Sequence, residues 1–148
     1  MGMPEKETLK RAAEDKREGK SASTQAGESV REEMHHIREG KHGAANTKQA
    51  IAIGLNKARK AGVKLGTPKE GKTSAKTRKS AQSASRRAGK KTSSRRSKAV
   101  RGALKKMPKS AAKRSALSRQ AKSAVKRRSA AARSASARKA AATRKRAA

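Results

Sequence analysis

The chain has 148 residues and carries 43 Lys or Arg against 10 Asp or Glu, a formal net charge of +33. It has no Phe, Trp, Tyr or Cys, and Leu, Ile and Val together number only 12, far below the share from which ordinary domains build a core. These numbers exclude a large apolar core, a disulfide framework, a thiol nucleophile and a Cys zinc site. The longest apolar run, residues 50–55, is far shorter than the roughly 20 residues that span a bilayer. The first twenty residues are too charged for a secretory signal. The composition predicts a soluble cytoplasmic protein with a polyanionic partner.

The charge is segregated. Residues 1–68 hold 14 basic and 9 acidic residues, whereas residues 69–148 hold 29 basic residues and a single acid, Glu70. Ala, Ser, Lys and Arg make up about four fifths of the second part, a low-complexity composition typical of interaction tails. The change falls near Gly66-Thr67-Pro68. The expected organisation is a solvated N-terminal helix over 1–22, a helical hairpin over 23–68 and a basic tail over 69–148. The expected fold class is all-α and largely disordered, the tail being helical only transiently or when bound.

In chain order, Pro4 suits a first helical turn, and Glu5 and Glu7 complement the helix dipole there. This first helix has almost no apolar face and is expected to dock, if at all, through Leu9. A second helix is expected from Thr24 or Ser29 to Glu39, with Val30, Met34 and Ile37 on one stripe. Ser29-Val30-Arg31-Glu32 fits a capping box, and Gly40 fits the stop. A third helix follows Asn46, with Gln49 three positions on. Lys57, Arg59 and Lys60 crowd its last turn, and Gly62-Val63 reads as a Schellman stop. The expected core is Val30, Met34, Ile37, Ile51, Leu55, Val63 and Leu65. Seven aliphatic side chains supply about 10–20 kcal/mol, so a marginal hairpin is expected, with weak self-association through 23–68.

In the tail, Ala, Lys and Arg favour helix, but like charges at close spacing oppose a compact state. Pro108, Gly89 and Gly102 are expected to punctuate any helix. Val100, Leu104 and Met107 form the one short amphipathic stripe, a pattern that arises easily by chance. Basic residues recur about every third position, often in doublets. The expected phosphate contacts are Lys76, Arg78, Lys79, Arg86, Arg87, Lys90, Lys91, Arg95, Arg96, Lys98, Arg101, Lys105, Lys106, Lys109, Lys113, Arg114, Arg119, Lys122, Lys126, Arg127, Arg128, Arg133, Arg138, Lys139, Arg144, Lys145 and Arg146. Small Ala and Ser side chains let the backbone approach phosphate, and the hydroxyls can donate to it. Nothing reads base edges in a fixed register, and without aromatics there are no stacking platforms for single strands. The expected partner is duplex DNA, without sequence preference; no membrane partner is expected.

Other constellations are weaker. His35, His36 and His42 are the only imidazoles. Glu32, Glu33 or Glu39 supply nearby carboxylates, but the histidines read as surface residues and no metal or cofactor is expected. The Gly40-to-Lys48 loop enters a helix N-terminus, where Lys41 and Lys48 make a candidate anion site; it lacks the P-loop spacing. Ser97, Ser115 and Ser129 follow basic doublets, where phosphorylation would lower the positive charge. No catalytic triad or carboxylate pair stands out, so no enzyme is expected.

Two resemblances rest on these residues. The segment from Arg31-Glu32-Glu33-Met34-His35, through Gly40-Lys41, to Lys48-Gln49-Ala50-Ile51-Ala52-Ile53-Gly54-Leu55 and Ala58-Arg59-Lys60-Ala61-Gly62 resembles a family of small bacterial proteins with no assigned activity. That likeness implies a bacterial origin. The tail is similar in composition to linker-histone C-terminal domains and to bacterial histone-like proteins, which implies nucleoid association and DNA compaction. The other classes left open are an RNA- or ribosome-associated factor and a stress-protective disordered protein.

Overall fold

A computed structural model describes residues 2–70 and 73–147. Among the described residues the chain is built from helix alone: α1 (Lys6–Arg17), α2 (Ala22–Glu39), α3 (Thr47–Lys60), α4 (Ala75–Arg86), α5 (Ser94–Lys105), a 3₁₀ turn (Lys109–Ala112), α6 (Arg114–Lys126) and α7 (Ala130–Ala147). The chain divides into two compact units, Met1–Lys113 and Arg114–Ala148.

The helical class is as expected, but the expectation of a largely disordered chain is overturned. Helix accounts for 71% of the chain, and it continues through the basic part as α4 to α7. Two local effects explain this. Ala, Lys and Arg fill the helix interiors, where their propensity is high. Ser, weak in interiors, sits at the starts: Ser74 accepts from Thr77 N at 3.2 Å, Ser93 from Arg96 N at 3.3 Å and Ser129 from Ala132 N at 3.2 Å. Gly89, at φ 75°, follows α4, and Pro108 follows α5. Gly102 lies inside α5 and interrupts nothing.

In the first unit, α2 packs against both α1 and α3. α2 begins earlier than either expected start: Ser21 is its cap, accepting from Thr24 N, and Ser29 is buried in its interior. Gly40 ends it at φ 80°, with Lys41 N donating to His36 O at 3.0 Å. α3 starts and stops as expected. Asn46 Oδ1 accepts from Gln49 N at 2.9 Å, and Gln49 Oε1 accepts from Ala45 N at 2.7 Å. At its end Gly62 has φ 89°, and Val63 N donates to Ala58 O at 3.0 Å, a Schellman closure.

The core differs from the aliphatic list. Met34 and Ile37 are buried, but Val30, Ile51, Leu55, Val63 and Leu65 are only half-buried. α3 turns a stripe of Ala50, Ile53, Gly54, Lys57 and Ala58 inward. Small residues on that stripe let the backbones of α2 and α3 approach closely. A Cβ on Gly54 would come within 2.6 Å of Val30 Cα and 3.0 Å of Ser29 O.

Two further segments complete the unit. α1 docks on α2 through Thr8 and Ala12, both buried, while Leu9 is half-buried. Its contacts are largely polar: Glu5 N donates to Glu32 Oε2 at 2.9 Å, and Arg11 Nε donates to Glu28 Oε2 at 2.6 Å. The segment 104–112 docks on the α2–α3 loop. Gly43 N donates to Leu104 O at 2.8 Å, Ala44 N to Pro108 O at 3.1 Å, Thr47 Oγ1 to Ala111 O at 2.8 Å and Arg38 Nε to Ala112 O at 3.0 Å. Leu104, Ala111 and Ala112 are buried there. Leu104 thus has a packing role, which the three-residue stripe alone was too short to signal.

Candidate nucleic-acid interface

Of the 27 basic positions expected to meet phosphate, all but Arg78 are exposed. Arg78 is partly buried, with Glu70 Oε1 2.9 Å from its guanidinium. α4 and α6 bury no residue among those described, and α5 buries only Leu104. These helices turn their cations to solvent because they have almost nothing apolar to hide.

α7 is the extreme case. Arg133, Arg138, Lys139, Arg144, Lys145 and Arg146 fall on all sides of the helix rather than on one stripe, and each is exposed. Near its start, Arg128 donates to Ala132 O at 3.0 Å and to Ser136 Oγ, while Arg133 donates to Arg128 O at 2.9 Å. At 1.5 Å rise per residue the helix is about 27 Å long. Duplex DNA presents a phosphate charge roughly every 1.7 Å of axis, so a duplex of that length offers about 16 phosphates to six cations. Phosphate is in excess along this helix, although one duplex can face only the cations on one side of it.

The candidate anion site at the α2–α3 loop takes another form. Lys41 Nζ lies 3.0 Å from Glu39 Oε2 and 3.4 Å from Glu5 Oε1. Glu39 chiefly, with help from Glu5, raises the Lys41 pKa above its ordinary value. Lys48 is exposed on the first turn of α3. The amides of Gly43, Ala44, Ala45 and Gln49 all donate to protein oxygens. These four amides are therefore taken up within the protein.

The same loop forms a polar cluster instead. Gly40 reverses the chain, so His42 returns to α2 and its ring stands edge-on to that of His36, 6.4 Å between centroids. His35 is exposed and lies outside this pairing. Lys57 Nζ reaches in from α3 and lies 3.1 Å from Glu32 Oε1, 2.9 Å from Glu33 Oε2 and 3.4 Å from His36 Nδ1. His42 Nε2 lies 3.0 Å from Glu33 Oε1, and His36 Nε2 lies 2.8 Å from Glu5 Oε1.

Two carboxyls feel this surrounding. Burial pushes the Glu32 carboxyl up, but hydrogen bonds from Glu5 N, Thr8 and Lys57 outweigh it and leave the group below its ordinary value. Glu5 is also lowered, first by its hydrogen bond with His36 and then by Lys41. On α3, burial lowers Arg59. Sequence reasoning missed the cluster because Lys57 reads as a last-turn dipole partner. Only the inward stripe of α3 shows that it is a core residue.

No family model, curated protein or solved structure matches the chain. Among the described residues, no helix is long and apolar enough to cross a membrane.

Proposed function

We propose that the chain binds duplex DNA without sequence preference, by neutralising phosphates, and acts in the nucleoid to screen and compact DNA in the manner of a linker-histone tail. The observation that supports this reading is the outward display of 26 of the 27 basic positions on and between short helices, with Glu70 the sole acid after Pro68. Each phosphate contact releases counterions, and that release drives association. The absence of aromatic residues removes stacking as a source of base preference. The resemblance of the tail to linker-histone C-terminal domains supports the same class.

The test is affinity for several unrelated duplexes, measured between about 50 and 300 mM salt. If ten cations engage phosphate, log K falls against log salt with a slope of about −9, equally for every sequence. A slope shallower than about −3, or a strong preference among the duplexes, refutes the reading.

A further inference from the structure

The polar cluster of the first unit contains none of the 27 basic positions expected to meet phosphate. Glu33, His36 and His42 each present one ligand atom, and the three atoms all lie within 4.8 Å of one another. We propose that these three residues form a binding site for a divalent transition metal of the zinc class, with the Lys57 ammonium as the internal cation that competes with the metal for Glu33.

The first support is the orientation of the two imidazoles. His42 Nδ1 lies 3.0 Å from Gly43 O. A carbonyl only accepts, so Nδ1 carries a proton, and Nε2 is the ring nitrogen that faces Glu33 Oε1, 3.0 Å away. His36 is arranged the opposite way round, with the same result. Its Nε2 donates to the Glu5 carboxylate at 2.8 Å, which leaves the Nδ1 lone pair facing the Lys57 ammonium, 3.4 Å away. Each ring therefore donates its outer N–H to an oxygen and turns its inner nitrogen to the cluster. That is the arrangement by which proteins fix the tautomer and raise the basicity of metal-bound histidines.

The second support is Glu33. Its side chain is fully buried, and neither oxygen receives a hydrogen bond of proper geometry, although His42 and Lys57 stand at ion-pair distance. A buried carboxylate without directed donors is costly unless a cation lies against it. Glu32 and Glu33 together carry two negative charges, and Lys57 is the one ammonium between them. Glu32 also accepts from Glu5 N, so Lys57 can be retained by Glu32 while Glu33 turns to a metal. Two imidazoles and one carboxylate, with a position left for water, suit zinc in both donor type and number.

The site also has a structural consequence. His42 precedes Gly43 and Ala44, whose amides hold the segment 104–112. A metal held by His42 ties that loop to α2 and stabilises the docked segment.

The test uses the full chain without an affinity tag, treated with nuclease, washed in high salt and stripped with chelator. Zinc is titrated against a chromophoric chelator, and cobalt serves as the spectroscopic probe. One ion per chain, a visible cobalt band with imidazole ligation and a rise in the melting temperature on adding zinc are expected. His42→Ala is expected to weaken zinc binding by well over tenfold, the loss already seen for supporting residues of metal ligands being about 10–100-fold. Lys57→Met removes the competing cation, and zinc affinity is expected to rise about tenfold or more. Glu39→Gln, outside the ligand set, is expected to change nothing. Sub-stoichiometric zinc binding, or binding unaffected by His42→Ala, overturns the proposal. If His42→Ala unfolds, the decision rests on the folded chain: a cobalt spectrum without imidazole ligation, or a Lys57→Met chain that binds zinc no better, overturns it equally.

Discussion

Gly43 and Gly54 show how much of this fold rests on single positions where no side chain fits. A Cβ on Gly43 would stand 2.7 Å from Pro108 O and closer still to the Met107 carbonyl. Those are backbone atoms and cannot swing aside. Gly43→Ala is expected to undock the segment 104–112, with faster hydrogen exchange of the Gly43 and Ala44 amides as the readout. Gly54→Ala forces α3 away from Val30 on α2. Overpacking of that kind costs about 1–3 kcal/mol, seen as a lower midpoint in urea. By contrast, a Cβ on Gly62, Gly66 or Gly102 meets nothing within 4 Å. Gly62 still resists substitution because its φ is +89°, whereas Gly102→Ala inside α5 is expected to raise helix content slightly.

The helices divide by what holds them. α2 and α3 are amphipathic and held by one another, so their ends and faces serve packing. α7 has no packing face among the described residues, and propensity, its Ser129 cap and the Arg128 and Arg133 hydrogen bonds at its start support it. Ser129→Ala is accordingly expected to cost about 1 kcal/mol of local helix stability, read as reduced helicity by circular dichroism. That loss should shrink when duplex DNA is added, because phosphates relieve the repulsion among the six cations. α5 lies between these cases, anchored at its end by one side chain. Leu104→Ala removes the one large side chain buried in that anchor among the described residues and is expected to cost about 2–5 kcal/mol of the stability of the docked segment. A thermal melt should register it. A matching truncation of exposed Val100 should leave the melt unchanged.

At the scale of the whole chain, the charge is additive where the packing is local. Arg114–Ala148, the second unit, carries 12 of the 29 basic residues after Pro68. Ending the chain after Lys113 is expected to make the salt slope of duplex binding shallower by up to about 11, the value for loss of all 12 contacts. It should leave zinc binding and the melting of the first unit as they are. A slope that does not change on truncation places the phosphate contacts on the first unit. The two proposals are therefore separable: Lys57→Met acts on metal affinity and not on the salt slope, and truncation acts on the slope and not on the metal.

Much of this was legible along the chain. The helical class, the ends of α2 and α3 at Gly40, Asn46 and Gly62, and the concentration of cations after Pro68 all follow from composition and short-range capping chemistry. Those are local effects, fixed within a turn of the residues that cause them. The order in the basic part was misjudged for a related reason. Repulsion is easily counted from a sequence, while serine at three helix starts is easily read as mere composition. What only the tertiary structure decided is which residues meet across long separations. Ala50, Ile53, Gly54, Lys57 and Ala58 face inward instead of Ile51 and Leu55, because α2 crosses closest at Gly54, where a Cβ would meet the Val30 backbone. Lys57, Glu33, His36 and His42 converge because Gly40 turns the chain back on α2. Leu104 packs on a loop some sixty residues earlier because backbone groups of 43–44 and 104–108 complete each other's hydrogen bonds, a pairing that no periodicity in the sequence encodes.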